Sequence, residues 1–521
     1  MKIYLITVLL VISSKVLAQS DVPPSWRLEL DTSVNFLNTD SYEIINEPTD
    51  DSQLIKTEIL RFANKYNVSK TIGSLADAYI LPDNSGFIHR IGIKSTNAKT
   101  INLELNNIDV VEGDKLYFYS RSHKQLRIMN YKELSTRKSV ITKPIDGDEV
   151  IIELYSRRYK SDFNIYNINH DFIGIFGIEI GNFGASGSCQ VDVACDEGDP
   201  WHKEERSVCL LIINGSEACS GALINNTNED GRPLVLTANH CYDFFNTNEE
   251  SFSNAVTTTE FLFNYNSPWC NGPNGSDNDI IIGATQRARN IQSDMILLEM
   301  DQFPPTEFYT YYSGWDRINT QPPTGVGIHH PRGDVKKIAT HNITPNNSNC
   351  MDFDLTDFFG GTIGFMPNSN YWRINWMATT NGFSVTENTS SGSPLFNANH
   401  RIIGQLFGSG LCDNPNCTDP TNDIANYGKI FSSWLGGGTP NTSLNSWLDP
   451  IGLSPSDYFG LRLIRFYTVD HNAWFTGDVV KFHDVNVLPG HDVVVTELQD
   501  RFEATGTLDI PAGVTFRVDK P

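Results

Sequence analysis

The chain has 521 residues, which is more than a single hydrophobic core usually accommodates. This length predicts three or four domains. Hydrophobic residues make up 39% and aromatic residues 11%, which is typical of globular proteins and excludes a mainly disordered chain. The net charge of -23 argues against a nucleic-acid binder and against docking on anionic lipid, because both need a basic face.

The N-terminus has the pattern of a secretory signal peptide. Lys2 precedes an apolar run over residues 3–12, and small residues at 16–18 precede an expected cleavage before Gln19. Residues 1–18 are therefore predicted to be removed on export. No later stretch of about 18 apolar residues predicts a membrane span. We expect a secreted, extracellular protein.

Residues 19–183 contain no cysteine and have the pattern of a β domain. Apolar and polar side chains alternate at residues 26–30 and 101–105, which is typical of strands. Residues 115–119 and 150–155 are further strand candidates. Residues 52–66 have apolar side chains near helical spacing and predict the one helix of this block. The block is predicted to be mostly antiparallel β.

Residues 184–460 also predict β structure. Short strand-like runs at 208–213, 233–236, 295–298 and 401–406 are separated by Gly, Asn, Pro and Ser clusters. That spacing favours a sandwich or a pair of barrels over alternating βαβ units. Residues 443–448 predict one short helix.

All nine cysteines lie in this central block. They are Cys189, Cys195, Cys209, Cys219, Cys241, Cys270, Cys350, Cys412 and Cys417. An exported protein can keep disulfides, so the central block is predicted to be cross-linked. Because the number is odd, at least one thiol is free or pairs elsewhere. Zinc is disfavoured, since Cys412 and Cys417 lack a close CxxC partner pair.

Residues 461–521 form a third block that predicts a small β module. Strands are expected at 478–482 and 492–498, with a Pro-Gly turn at 489–490 between them, and residues 510–518 repeat the pattern. We find no convincing internal repeat elsewhere. The block contains no catalytic cluster, and its function stays open.

Three short segments of the central block carry the residue types of a catalytic triad: His240 in 236–241, Asp294 in 293–299 and Ser391 in 389–395. Acyl transfer at a peptide bond needs a hydroxyl nucleophile, a base to take its proton and a carboxylate that orients the base. Each residue alone also fits a structural position in a core, at a strand end or in a turn. Together, in this order, they favour catalysis.

The residues around Ser391 suit an oxyanion-binding turn. Gly392 permits a sharp turn and Pro394 fixes its exit. The backbone N–H groups of Thr389 and Ser391 are expected to point at the oxyanion that develops in the transition state.

Further segments of the central block strengthen this interpretation. They are residues 184–189, 219–227, 237–241, 293–299, 314–317, 327–331, 404–406, 427–428 and 447–450. With these residues the sequence resembles the chymotrypsin-type serine proteases, which have the same triad order. It resembles more closely the bacterial lysyl endopeptidase branch. The resemblance covers roughly residues 184–450.

The resemblance implies an all-β protein that is made as a zymogen. Residues 184–460 would form a trypsin-like domain of two six-stranded β-barrels. Residues 19–183 would be the propeptide, and the cut would fall between Phe183 and Gly184. The resemblance also implies the disulfides Cys219–Cys241, Cys189–Cys412 and Cys195–Cys270. Cys209, Cys350 and Cys417 have no family counterpart, and pairing Cys350 with Cys417 is a guess.

Three positions depart from the lysyl endopeptidase pattern. Thr389 stands where the family has a glycine, and a β-branched residue is stiffer there. Phe407 stands where those enzymes have a histidine. Ala425 stands where they have the aspartate that pairs with substrate lysine. Asp423 faces the same side of an extended chain and is the alternative partner.

These departures predict an apolar primary pocket. Without a carboxylate, a buried substrate lysine would lack its partner. Val385, six residues before Ser391, is expected at the pocket floor and is also apolar. Phe183, on the acyl side of the expected maturation point, fits the same preference.

The resemblance therefore implies a secreted, monomeric serine endopeptidase whose partners are protein or peptide substrates and its own propeptide. No cofactor or metal is required. His329 and His330 are interpreted as structural, because adjacent residues of a strand face opposite sides. Two alternatives stay open: a true lysyl endopeptidase that uses Asp423, and a pseudoprotease that acts as a binding or adhesion protein, for which Thr389 is the support.

Overall fold

The computed structural model describes most of the chain in separate stretches. These are residues 22–28, 34–44, 60–82, 85–122, 125–135, 138–172, 174, 186–242, 249–342, 350–356, 362–410, 412, 417 and 424–519. The signal peptide expected at 1–18, the maturation point expected at Phe183-Gly184, and Asp423 lie outside them. The chain divides into two compact units, one of residues 1–47 and 63–178, the other of residues 48–62 and 179–521.

The first unit is built from two mainly antiparallel sheets. Its strands are β1 (Phe36–Asn38), β3 (Ala63–Thr71), β4 (Asp77–Ile80), β5 (Phe87–Lys94), β6 (Thr100–Asp109), β7 (Lys115–Ser120), β8 (Leu126–Asn130), β9 (Ser139–Ile141), β10 (Ile145–Asp146), β11 (Glu149–Ser156) and β12 (Asp162–Asp171). Its short helices are α1 (Pro24–Arg27), α2 (Ile72–Leu75) and α3 (Tyr131–Ser135).

One sheet has the order β1-β5-β11-β7-β8 with β4 beside β5, and the other has the order β10-β6-β12-β3 with β9 beside β6. Both contribute to one core, in which Ile93 of the first sheet and Leu103 and Ile168 of the second are fully buried. The helix predicted over 52–66 is wrong in its described part. Residues 63–71 are a strand, because pairing with β12 along its length overrides the local spacing.

The second unit contains two eight-stranded sheets. The first is formed by β2 (Leu60–Arg61), β13 (Val208–Ile213), β14 (Glu217–Leu223), β15 (Leu234–Ala238), β16 (Glu260–Leu262), β17 (Ile280–Ile282), β18 (Ala284–Asn290) and β19 (Met295–Met300). Its order is β17-β16-β13-β14-β15-β19-β18, and β2 pairs with β14. Helix α4 (Glu249–Thr257) precedes β16.

The second sheet is formed by β20 (Trp315–Asp316), β21 (Gly325–His329), β22 (Lys337–His341), β25 (Tyr371–Asn375), β26 (Pro394–Asn397), β27 (Ile402–Gly408), β28 (Ile424–Lys429) and β29 (Asp457–Tyr458). Its order is β22-β21-β26-β27-β20-β29, and β28 joins β27 to β25. A separate hairpin consists of β23 (Phe353–Thr356) and β24 (Thr362–Met366). Helices α5 (Ile430–Leu435) and α6 (Asn445–Leu448) follow, the latter within the predicted 443–448.

The two curled sheets share a core that contains Leu236 and Leu297 of the first and Val326 and Phe396 of the second. The all-β, trypsin-like fold predicted from the sequence is therefore present. Each sheet has eight strands where six were expected, because strands of two or three residues extend them: β2 and β17 in one, β20 and β29 in the other. Short 3-10 turns lie at Thr39–Ser41, Asp199–Trp201, Glu204–Ser207, Asn239–Cys241, Ile291–Ser293, Thr306–Phe308, Pro331–Gly333 and Asn368–Asn370.

The C-terminal block is a stack of parallel strands that the sequence did not predict. Its strands are β30 (Leu461–Val469), β31 (Ala473–Thr476), β32 (Val479–Val487), β33 (Val493–Thr496), β34 (Arg501–Ala504), β35 (Leu508–Asp509) and β36 (Phe516–Val518). β30, β32 and β34 pair in parallel in one sheet, and β31, β33 and β36 do so in another. The chain thus alternates between two sheets and makes three coils around a core of buried valine and phenylalanine side chains.

This stack is joined to the two eight-stranded sheets within the second unit. Leu461 and Val479 pack in the core of the first of these sheets. Asp478 is fully buried and accepts hydrogen bonds from Lys203 Nζ at 2.8 Å and Arg401 Nη1 at 2.9 Å. Burial raises the pKa of Asp478, but the two cations outweigh burial and leave the pKa below its usual value.

Four disulfides lie in the central block. Cys219–Cys241 and Cys195–Cys270 form as the resemblance implies. The predicted Cys189–Cys412 is wrong, because Cys189 pairs with Cys417, and the guess Cys350–Cys417 is wrong, because Cys350 pairs with Cys412.

The exchanged pairing has a steric reason. Gly410 packs so closely on the Cys350 carbonyl that an added Cβ would lie 2.2 Å from its oxygen, so Cys412 is held near Cys350. Cys417 lies against Gly187, beside Cys189. Cys209 is a free, buried thiol, in agreement with the odd cysteine count.

Candidate active site

The pairing of β15 with β19 brings His240 and Asp294 together. The two strands are antiparallel, with Ala238 opposite Met295. His240 follows the end of β15 and Asp294 precedes the start of β19, so both lie at the same end of the pair. His240 Nδ1 is 2.6 Å from Asp294 Oδ2, and the backbone N–H of His240 donates to Asp294 Oδ1 at 2.9 Å. The carboxylate therefore fixes both the ring and the backbone of the histidine.

Ser391 lies in the turn before β26 and reaches this pair through its backbone. The N–H of Ser220 in β14 donates to the Ser391 carbonyl at 2.8 Å, and Cys241 Sγ is 3.9 Å from the same oxygen. Cys241 is the neighbour of His240, so the turn is held beside the histidine. Ser391 Oγ makes no hydrogen bond to the described part of the chain. The serine hydroxyl is thus available to the base once the two side chains approach.

Gly392 lies where the turn that carries Ser391 closely approaches strands β14 and β15. Its φ is +81°, in the left-handed region, and a Cβ there would lie 2.1 Å from Thr237 Oγ1 and 2.4 Å from the Ser220 carbonyl oxygen. Only glycine fits between the serine turn and the strand that leads to His240. The exposed fractions of the His240, Asp294 and Ser391 residues are 1%, 2% and 1%.

The turn that carries Thr389 is held by a second turn at residues 331–333. The Asn388 carbonyl accepts a hydrogen bond from the Arg332 N–H at 2.6 Å. Because a trans peptide points its C=O and N–H in opposite directions, the Thr389 N–H points away from Arg332. Among the described residues, the backbone N–H groups of Thr389 and Ser391 donate to no backbone carbonyl. Both are therefore available as donors to an oxyanion.

Thr389 is held in an unusual backbone conformation by its own side chain. Its φ is +69°, which favours glycine. Its hydroxyl accepts a hydrogen bond from the Gly333 N–H at 2.6 Å and donates to the His330 carbonyl, and its own carbonyl accepts from Ser220 Oγ at 2.8 Å. The side chain is fully buried. The hydroxyl thus ties the oxyanion turn to the 331–333 turn, a contact that a glycine could not make.

Ser390 and His329 form a second, structural pair beneath this turn. Ser390 Oγ accepts from the Glu387 N–H at 3.1 Å and lies 2.7 Å from His329 Nδ1. Burial lowers the pKa of His329 to about 3, so the ring is neutral and can accept a hydrogen bond from the Ser390 hydroxyl. His330 instead hydrogen-bonds the Asp334 carbonyl at 2.9 Å. The two histidines therefore have separate partners, in keeping with their predicted structural roles.

Two residues that support the triad were not singled out from the sequence. Gln405 Nε2 donates to the Ser293 carbonyl at 2.7 Å and to the Asp294 carbonyl at 3.3 Å, so it holds the turn that carries the carboxylate. Ser220 contacts both Thr389 and Ser391, as described above. Gln405 lies in the 404–406 segment that carries the resemblance, which is the only sequence signal for it.

The predicted pocket residues do not lie in one cluster. Val385 and Ala425 are fully buried in the same apolar cluster, together with Trp376. Phe407 instead contacts the His240 ring edge to face, with centroids 5.4 Å apart. Asp423 lies outside the described residues. The pocket floor expected from Val385 and Ala425 stays a prediction, whereas Phe407 packs beside His240.

Phe407 belongs to a cluster that includes the β23–β24 hairpin. It packs with Phe353 and Met366 of the hairpin and with Tyr371. The ring centroids of Phe353 and Phe407 are 6.0 Å apart. In the described stretches no group of three His, Cys, Asp or Glu side chains could hold a metal ion, and no helix is long and apolar enough to cross a bilayer.

Known proteins resemble the region that carries this site. The sequence profile of the family described as "Lysyl endopeptidase, C-terminal domain" matches residues 183–426. A lysyl endopeptidase of Pseudomonas aeruginosa is 27% identical over 338 residues, which are 61% of this chain and 66% of the relative. The match thus spans just under two thirds of that relative.

Solved structures match about half of the chain at lower identity. The inactive form of the Rv3671c protease is 14% identical and covers 46% of this chain and 91% of that one, with a TM-score of 0.28. The active form, from M. tuberculosis, is 13% identical and covers 48% and 89%, with a TM-score of 0.30. These scores are low, so the identification depends on the family match, the sequence relative and the fold itself.

The region that carries the two curled sheets and the His240–Asp294 pair is therefore similar to serine endopeptidases of the chymotrypsin type. Within that class, the chain resembles the lysyl endopeptidase branch, as its motifs predicted.

Proposed function

We propose that the chain is an exported zymogen whose mature enzyme hydrolyses peptide bonds through an acyl-enzyme on Ser391. The observation that carries this proposal is the buried His240–Asp294 pair, 2.6 Å from Nδ1 to Oδ2, with the backbone of Ser391 held beside it. His240 takes the serine proton and later gives it to the leaving amine. Asp294 holds the tautomer that leaves Nε2 facing the serine.

The oxyanion of the tetrahedral intermediate binds to the backbone N–H groups of Thr389 and Ser391. The direction of the Asn388–Thr389 peptide supports this assignment, since its carbonyl is bound by Arg332 on the opposite side. Donors that are fixed before the reaction need no reorganisation as charge develops.

The primary pocket is proposed to accept aromatic or large apolar side chains. Val385 and Ala425 supply a buried apolar surface, and neither offers a charge that would stabilise a lysine ammonium. Strict lysine specificity is the rival, favoured by the name of the Pseudomonas relative.

The zymogen proposal is supported by contacts just after the expected maturation point. The Gly187 N–H donates to Glu387 Oε2 at 2.8 Å, and Gln190 Nε2 donates to the same oxygen at 2.9 Å. The other Glu387 oxygen is 3.0 Å from Arg332 Nε. Cutting between residues 183 and 184 would free a new N-terminus three residues before Gly187, and Gly187 is linked through Glu387 to Arg332 of the 331–333 turn.

Mapping cleavage sites by mass spectrometry tests the whole proposal. A denatured protein is digested with the matured enzyme, and the matured Ser391→Ala variant serves as the control. Cuts after aromatic or large apolar residues that are absent from the control are expected. Cuts after lysine alone would refute the apolar pocket and favour Asp423, and no cuts at all would favour the pseudoprotease.

A further inference from the structure

Residues 60–62 add a short strand to the first catalytic sheet. In β2, Arg61 lies opposite Glu217 and Leu60 opposite Ala218, in antiparallel register with the start of β14. The Phe62 N–H then donates to the Ser216 carbonyl at 2.8 Å. These three residues belong to the block that the sequence predicts to be propeptide, yet they group with the catalytic unit.

The edge to which they bind leads directly to the catalytic serine. Cys219 follows Ala218 and is bound to Cys241, the neighbour of His240. The next residue, Ser220, hydrogen-bonds the Ser391 carbonyl. Ser220 is two residues beyond Ala218, about 7 Å along an extended strand. Because the register is antiparallel, Leu60 is the end of the added strand that lies nearer Ser391.

Among the described residues, β2 is the strand that pairs with this edge of β14 at Glu217 and Ala218. β15 pairs with β14 only at Ala222 and Leu223, so the ladder on that side ends before Glu217. An unpaired strand edge is a template for an added strand. The docked segment also has a side-chain anchor, since Phe62 is only 1% exposed.

We propose that residues 60–62 are an inhibitory strap that occupies the β14 edge beside Ser391 and excludes extended peptides from it. An extended substrate that crosses Ser391 and continues past Ser220 needs the same backbone edge. The anchor position accepts a large apolar side chain, the class to which Phe62 belongs. This inference rests on the proposed endopeptidase function of Ser391.

A reversible cross-link tests the strap in the full-length chain. Phe62 and Ser216 are joined by a ladder hydrogen bond, so Arg61 and Glu217 form the adjacent non-hydrogen-bonded pair, whose Cα atoms are typically about 4.5 Å apart. That distance suits a disulfide. In the Arg61→Cys, Glu217→Cys double variant, the rate at which a fluorophosphonate labels Ser391 is measured before and after mild reduction.

Labelling of the oxidised form is expected to be about tenfold slower than that of the reduced form. The matched control is Lys115→Cys with Asn130→Cys, a cross-strand pair in the first unit, which should label equally in both states. Because the disulfide joins the strap to β14, it persists whether or not the chain has been cut near residue 183.

A second variant tests the anchor without a cross-link. Phe62→Ala in the full-length chain should label about tenfold faster than the wild type, because the strap loses most of its buried side-chain surface. Equal rates in the oxidised and reduced double variant, or an unchanged rate in folded Phe62→Ala, would overturn the strap while leaving the enzyme intact. Absence of labelling in every form, including the reduced one, would overturn the proposed function and the strap with it.

Discussion

At the scale of single residues, Thr389 shows how a side chain can replace the freedom of glycine. A β-branched residue at φ +69° is strained, by about 1–3 kcal/mol. Its hydroxyl offsets that strain with two hydrogen bonds, one from Gly333 in the 331–333 turn and one to His330 just before the turn. The sequence alone predicted only the stiffness, because the partner turn lies more than 50 residues away along the chain.

Substitutions at Thr389 separate the hydroxyl from the shape of the side chain. Thr389→Val keeps the shape but loses both hydrogen bonds, and we expect kcat to fall about 100-fold with KM little changed, because an oxyanion donor loses its aim. Thr389→Ser keeps the hydroxyl and should stay within a few-fold of the wild type, whereas Thr389→Gly loses the hydroxyl but also the strain at φ +69°, so its kcat should fall less than that of the Val variant. Steady-state kinetics on a peptide substrate provide the measurement. A Val variant as fast as the wild type, or a Ser variant as slow as Val, would contradict this assignment.

The apolar pocket makes a separate prediction at Ala425. Ala425→Asp places a carboxylate in a fully buried apolar cluster, so the free energy of unfolding should fall by about 3 kcal/mol or more. The same carboxylate should shift cleavage toward lysine, whose ammonium it can pair with. Cleavage mapping and chemical denaturation measure the two effects. Unchanged preference for aromatic residues in a folded variant would show that Ala425 does not line the pocket.

At the scale of elements, the sequence predicted most reliably those features that depend on short, local motifs. His240, Asp294 and Ser391 could be grouped in advance because each lies in a compact motif whose order along the chain is informative. The exchange between Cys412 and Cys417 could not be predicted, since they are only five positions apart and either could reach a partner. The contact between Gly410 and Cys350 places Cys412 near Cys350, and only the folded chain brings these residues together.

The Cys350–Cys412 disulfide should matter for the catalytic histidine as well as for stability. It begins the β23–β24 hairpin, whose Phe353 packs on Phe407, which in turn contacts His240. For its separation of 62 residues, the Cys350→Ser, Cys412→Ser variant should lose about 4 kcal/mol of unfolding free energy. Its kcat should fall as well, because Phe407 would be held less firmly against His240.

The matched control is the Cys195→Ser, Cys270→Ser variant, whose disulfide closes a similar loop away from Phe407. It should lose stability with a smaller change in kcat. Peptide mapping of the unreduced protein checks the pairing itself, and a Cys189–Cys412 peptide would contradict the structure.

At the scale of the whole molecule, the C-terminal stack is part of the catalytic unit. Asp478 joins it to Lys203 and Arg401, and Glu229 lies 2.9 Å from Lys481 of the stack. The sequence predicted strands here but not their parallel order. Parallel partners lie about twenty residues apart and each strand is short, so no alternation or turn signal in the sequence records which strands are neighbours.

Asp478→Asn should weaken the whole second unit. The substitution leaves Lys203 and Arg401 buried without their anion, so we expect a loss of about 3–5 kcal/mol in unfolding free energy. The folded-state pKa of Asp478 is below its ordinary 3.8, so its contribution is present above about pH 4 and is lost as the pH falls through the folded-state pKa. The stability of the variant should therefore depend less on pH in this acid range than that of the wild type.

Urea unfolding at pH 7 and at several acidic pH values measures both effects. His471→Ala, in an exposed loop of the same stack, provides a control that should leave stability nearly unchanged. Equal stability of Asp478→Asn and the wild type at neutral pH would show that the stack is held by apolar packing alone.

The ion pair between Lys203 and Asp478 also bears on when the chain can complete its packing during synthesis. The two residues are 275 positions apart, and both are buried. While the chain emerges from N- to C-terminus, Lys203 appears long before its anion and cannot be buried favourably without it. The catalytic sheets therefore complete their packing only after the last coils have been made. A chain interrupted before residue 478 would lack this pairing and would leave Lys203 without its buried anion.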